Sequence, residues 1–134
     1  ERYETVDNTI ESYDNYALCY RCHERLSILA DESFQQKTVG STLSRGGHSG
    51  HLGSGAPCSV CHDPHGVQDD GFSGDHTHLL NFDALIVTPV AGQSVPFFTD
   101  LGSRSGSCTL VCHGRTHDPN YTGSDPNFVN STYP

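Results

Sequence analysis

The six cysteines of this chain form three pairs, and a histidine follows each pair at once: CYRCH at 19–23, CSVCH at 58–62 and CTLVCH at 108–113. Two of the three have the Cys-x-x-Cys-His spacing that attaches a c-type haem. The third carries one extra residue between its cysteines. In that chemistry each thiol adds across a vinyl group of the porphyrin. Two thioethers result, and the histidine stands under the iron. A helical turn suits the task, because positions i, i+3 and i+4 share a face. An i, i+4 cysteine spacing stays on that face too, so CTLVCH is read as a variant of the same motif.

Other uses of cysteine explain less. A disulfide framework leaves the histidine after every second cysteine as an accident repeated at three places. A zinc site would have to borrow ligands across widely separated segments. A thioredoxin-like pair needs a βαβ context that the chain lacks. The motifs therefore predict three haem c groups. Their thioethers fall on Cys19, Cys22, Cys58, Cys61, Cys108 and Cys112, and their proximal ligands are His23, His62 and His113.

Six further histidines remain: His48, His51, His65, His76, His78 and His117. The chain has no Met, which excludes Met-ligated iron. Bis-histidine ligation of three haems needs three of the six. His65 lies three residues past His62 and across Pro64, so it cannot swing to the far side of the same porphyrin. It is expected on a neighbouring haem, that of Cys19 and Cys22. The same reasoning applies to His117, four residues past His113. Glycines around His48 and His51 let the backbone approach a flat cofactor. His76 and His78 alternate, so an extended segment puts both on one face and one of them serves a given iron. The order of preference is His65, His51, His117, His48, His78, with His76 last.

The elements that must position these groups are sparse. Residues 1–14 are polar and acidic and read as an N-terminal arm. Residues 13–34 read as a helix capped by Asp14 or Asn15, with Ala17, Leu18, Cys22, Leu26 and Leu29 as its apolar stripe. Residues 40–57 are a Gly/Ser-rich loop pinned by its histidines. Residues 78–90 and 94–102 read as a β-hairpin turning at AGQ. The third motif opens a short turn at Cys108, and 118–134 is an extended C-terminal tail. The triplets NYT (120–122) and NST (130–132) match the glycosylation pattern, which arises often by chance. The fold expected is a single domain over 1–134, mostly irregular. It has a few short helices at the haem motifs and a small β-hairpin, with the haems as its core.

Composition agrees. Only 34% of the 134 residues are hydrophobic, with 14 Gly, 7 Pro and no Trp. So lean a chain needs something besides side chains to fill its interior. The net charge of −9 argues against nucleic acid and against anionic lipid. No apolar run approaches the ~18 residues of a membrane span. The chain begins at Glu1 instead of Met, which reads as a processed, mature protein.

The stretches NYALCYRCHERLSIL, GHSGHLGSGAPCSVCHDPHG, HLLNFD and GSRSGSCTLVCHGRTHDP resemble multihaem c-type cytochromes of dissimilatory metal-reducing bacteria, over residues 15–121. The resemblance implies low-spin bis-histidine haems in close contact, on proteins that carry respiratory electrons out of the cell. Some relatives polymerise into extracellular filaments in which a histidine of one subunit ligates a haem of the next. The resemblance thus implies an electron carrier, not an enzyme, that is secreted or at the cell surface, with a periplasmic location as the variant. Its partners would be other copies of itself and redox-partner cytochromes. A soluble triheme shuttle is the alternative. A multihaem reductase with one open haem is the third reading, hinted at by Arg104 and Arg115 around the last motif.

Overall fold

The computed structural model describes residues 9–30, 47–66, 76–103 and 105–133. Residues 1–8, 31–46, 67–75, Arg104 and Pro134 lie outside the described residues, and with them parts of the expected arm, first helix and Gly/Ser loop.

The first helix is not continuous. A 3-10 turn at Cys19–Arg21 is followed by α1, Arg25–Leu29. Between them Glu24 adopts extended backbone and its carboxylate accepts from the Ser27 N–H at 2.8 Å. That N-cap restarts the helix and breaks the expected 13–34 run. The expected stripe is not the core either. Leu18 and Leu26 are 40% and 68% exposed, whereas Tyr16 and Tyr20 are buried. The tyrosines win because residues 9–14 fold back on them: Tyr20 Oη donates to Glu11 Oε1 at 2.9 Å, and Arg25 Nη2 meets Glu11 Oε2 at 2.6 Å.

Two short helices follow, α2 (Gly47–Gly53) and α3 (Cys58–Cys61). Pro57 precedes α3 with φ −72°, a conformation suited to the residue before a first turn. Gly47 takes φ +68°, which a side chain would resist, and this lets α2 begin directly at the first histidine of GGHSGH.

The second half is a small mixed sheet built on β3, Ser105–Cys112. Its partners are β1 (Val87–Thr88), β2 (Phe97–Gly102), β4 (Arg115–His117) and β6 (Thr132–Tyr133), all antiparallel. β5 (Phe128–Val129) runs parallel to β4. The hairpin expected from 78–90 and 94–102 is corrected here. The turn exists, with Gln93 N–H donating to the Val90 carbonyl at 3.0 Å. Its arms do not pair with each other; β1 and β2 each pair with β3. β3 attracts both because Thr109, Leu110 and Val111 fit a pleated surface. The third motif is therefore on a strand, not a turn. The C-terminal segment is extended as expected, and two of its stretches join the sheet.

Among the described residues, buried side chains gather in two clusters. One is Val60, Val87, Phe98, Cys108 and Leu110. The other is Tyr16, Tyr20 and Leu52. Helix α3 bridges them: Cys58 packs on the tyrosine cluster and Cys61 on the sheet cluster. No helix among the described residues is long and apolar enough to cross a membrane.

Candidate haem-binding site

The first two motifs share one local geometry. The His23 N–H donates to the Cys19 carbonyl at 3.0 Å, and the His62 N–H donates to the Cys58 carbonyl at 2.8 Å. Each is a helical turn that puts both cysteines and the following histidine close together. Cys22 and His23 are exposed, while Cys19, Cys58, Cys61 and His62 are half-buried.

His62 is the best-positioned imidazole. Its Nδ1–H donates to the His78 carbonyl at 2.9 Å, so Nε2 carries the lone pair. That carbonyl is aimed by an unusual backbone: His78 and Leu79 have φ of +60° and +59°, a left-handed region costly for residues with a Cβ. The Asp63 N–H donates to Leu79 at 2.9 Å, which locks the kink against the motif. HTHLL thus positions His62 through its backbone. The His78 side chain, expected as an iron ligand, is instead 60% exposed, with Nε2 4.0 Å from Asp100 Oδ2. Nothing in the residue types signals that role.

Two imidazole pairs stand out. The rings of His48 and His62 have centroids 6.2 Å apart, and those of His51 and His117 are 6.4 Å apart. Metal–imidazole bonds are about 2 Å long, so two bonds plus half a ring on each side span roughly 6 Å. Both separations are long enough for two imidazoles to share one metal ion between them. His51 Nδ1–H donates to the Gly47 carbonyl at 2.7 Å, again leaving the lone pair on Nε2. His76, ranked last from sequence, has the same anchoring: its Nδ1–H donates to the Leu80 carbonyl at 2.6 Å. The glycine and leucine carbonyls that do this are four residues away in each case, a signal invisible in composition. His65, ranked first, is 88% exposed, with Nδ1 3.3 Å from Asp63 Oδ1.

Electrostatics favour neutral groups. Burial lowers the His62 pKa against the opposing hydrogen bond to the His78 carbonyl, and the nearby His23 and His78 rings add to the lowering. His117 is pushed down to about 4 by burial, then by His51 and Arg115. Burial and the adjacent Cys19 push the Cys58 thiol up to about 12, and burial raises Cys61 strongly beside Cys108 and Cys112. Neutral imidazole is the metal-binding form. Protonated thiols are poor zinc ligands and poor nucleophiles. No disulfide joins the cysteines to one another. Among the described residues no three His, Cys, Asp or Glu side chains converge as a cage for a bare ion. A porphyrin brings four nitrogens of its own, so two opposed imidazoles complete its iron.

The residues present therefore fit a c-type haem at the first two motifs. The third does not fit in the expected form. Four residues of strand advance about 13 Å, well beyond a helical turn, and the residue after Cys112 leaves the strand. His113 sits in the β3–β4 turn with φ +50°, exposed. Of the two arginines flanking this motif, Arg115 is exposed on β4 and Arg104 lies outside the described residues. Searches of family models, of curated proteins and of solved structures each found no match to this chain.

Proposed function

We propose that this chain is an electron-transfer protein, not an enzyme, carrying three covalently attached c-type haems with bis-histidine ligation. One observation carries the reading. The histidine of CSVCH has its Nδ1 anchored, and its ring centroid lies 6.2 Å from that of a second imidazole, a separation that a shared iron would need. His48 is then the partner of His62 on the haem of Cys58 and Cys61. The bound haem supplies the redox-active iron. Cys58, Cys61, His62 and His48 would hold it, and two histidines on one iron would leave no place for a substrate. Bis-histidine ligation without Met favours low reduction potentials.

The test is ligand binding and electron paramagnetic resonance on the holoprotein. All-low-spin ferric signals and no rapid carbon monoxide uptake are expected. Rapid uptake at one haem would favour the reductase reading instead.

We propose further that the chain is a subunit of an extracellular filament, with a soluble shuttle as the alternative. The support is the resemblance to filament-forming relatives and the outward placement of His65, 88% exposed, where a haem of another copy can reach it. Electron microscopy of concentrated holoprotein decides between the two: filaments are expected, and discrete monomers would reject the polymer.

A further inference from the structure

We propose that Asn120 is a carbohydrate-attachment site, and that Asn130, in the chain's other matching triplet, is not. This rests on the reading that the chain is exported, since sugar is transferred to asparagine outside the cytoplasm.

Both triplets have the Asn-x-Ser/Thr pattern, which by itself says little. A transferase must take the asparagine carboxamide into its own active site, together with the hydroxyl two residues on. Both groups must therefore stand clear of the packed fold. At Asn120 they do. The Tyr121 N–H donates to the Asp118 carbonyl at 3.1 Å and closes a β-turn with Pro119 and Asn120 at its corners. The Asn120 N–H donates to Asp118 Oδ1 at 2.8 Å, so its backbone is held in that turn. Asn120 and Thr122 are both exposed, and among the described residues no hydrogen bond engages the Asn120 carboxamide. The bulky middle residue packs back onto the protein: the Tyr121 ring stacks on Phe128 with centroids 4.9 Å apart.

At Asn130 the same groups are committed. Its Nδ2 donates to the Tyr121 carbonyl at 3.0 Å, and its Oδ1 accepts from the Thr132 N–H at 3.1 Å. Ser131, between them, is wholly buried and its hydroxyl donates to the Cys108 carbonyl. Thr132 lies on β6, paired with Ser107 of β3. Sugar transfer there would require the tail to leave the sheet.

The donor is a sugar carried on a lipid diphosphate. Asn120 Nδ2 attacks its anomeric carbon, a C–N bond forms, the bond to the diphosphate breaks, and one amide proton passes to the transferase. Nothing is oxidised or reduced. The attached glycan, being bulky and hydrated, keeps the turn at 118–121 facing solvent, so contacts between copies fall on other faces.

The experiment is mass spectrometry of peptides from the holoprotein isolated from its own source. The peptide holding Asn120 is expected to carry added sugar mass, and the peptide holding Asn130 is expected bare. Thr122→Ala, made in the same host, should lose the sugar, and Thr122→Ser should keep it; the exposed position makes both safe for folding. Exported wild-type chain with a bare Asn120, sugar on Asn130, or sugar kept in T122A would overturn the proposal. Cell fractionation separates the failures: chain found only in the cytoplasm would overturn the extracellular reading and this site with it, whereas exported chain with a bare Asn120 overturns this site alone.

Discussion

His62 shows how one imidazole is anchored: a left-handed pair, His78–Leu79, turns a carbonyl onto its Nδ1. Replacing its partner should open the iron. His48→Ala is expected to convert one of three haems to a five-coordinate, carbon monoxide-binding form, seen in a difference spectrum; an unchanged spectrum would remove His48 from the site. The three cysteine–histidine motifs stand out in the sequence because thioether chemistry would fix residue type and spacing together. Distal partners are harder to read, because such a ligand needs only to arrive in space: the sequence ranks His65 above His48, yet it is His48 whose ring lies 6.2 Å from that of His62. A second residue-scale effect concerns Glu11. The Arg25 guanidinium holds its carboxyl below the usual range, against the opposing effect of burial. A depressed carboxyl stabilises the fold above its unfolded pKa, and that contribution is lost as pH falls through the folded value. Glu11→Gln should therefore lower the melting temperature at neutral pH, and the difference should vanish in acid. A constant difference across pH would contradict the ion pair's role.

At the scale of elements, β3 decides the second half of the molecule. The sequence reading placed strands within 78–90 and 94–102 but paired them with each other. The missing information was a third, better strand, hidden because CTLVCH had been assigned to a haem turn. Where two rules compete for one segment, the sheet's packing overrides the motif's usual shape. Gly106 is the position where that packing is tightest. A Cβ there would stand 2.6 Å from the Phe98 ring. Gly106→Ala is expected to destabilise by about 1–3 kcal/mol, as overpacking does, measured by chemical denaturation. A neutral result would show that β2 and β3 are less closely packed. The same competition broke the first helix, where Glu24 preferred capping Ser27 to continuing the turn.

At the scale of the whole molecule, the buried side chains among the described residues form two small clusters, of five and three residues. On the proposed reading, covalently held haems would supply the cross-links that such a chain otherwise lacks. Chain produced without haem attachment is expected to lose cooperative unfolding and most native far-UV signal; a native-like spectrum would contradict a structural role for the haems. The scarcity of helix was legible in the low apolar content and the many glycines. The order of strands was not, since it depends on contacts between residues distant in sequence. The central claim is covalent attachment of haem at three cysteine pairs, and intact mass of the denatured protein tests it most directly, after expression in a host that matures c-type cytochromes. The account predicts the mass of the chain plus three haems. The bare chain's mass, with all six thiols open to alkylation, would contradict it.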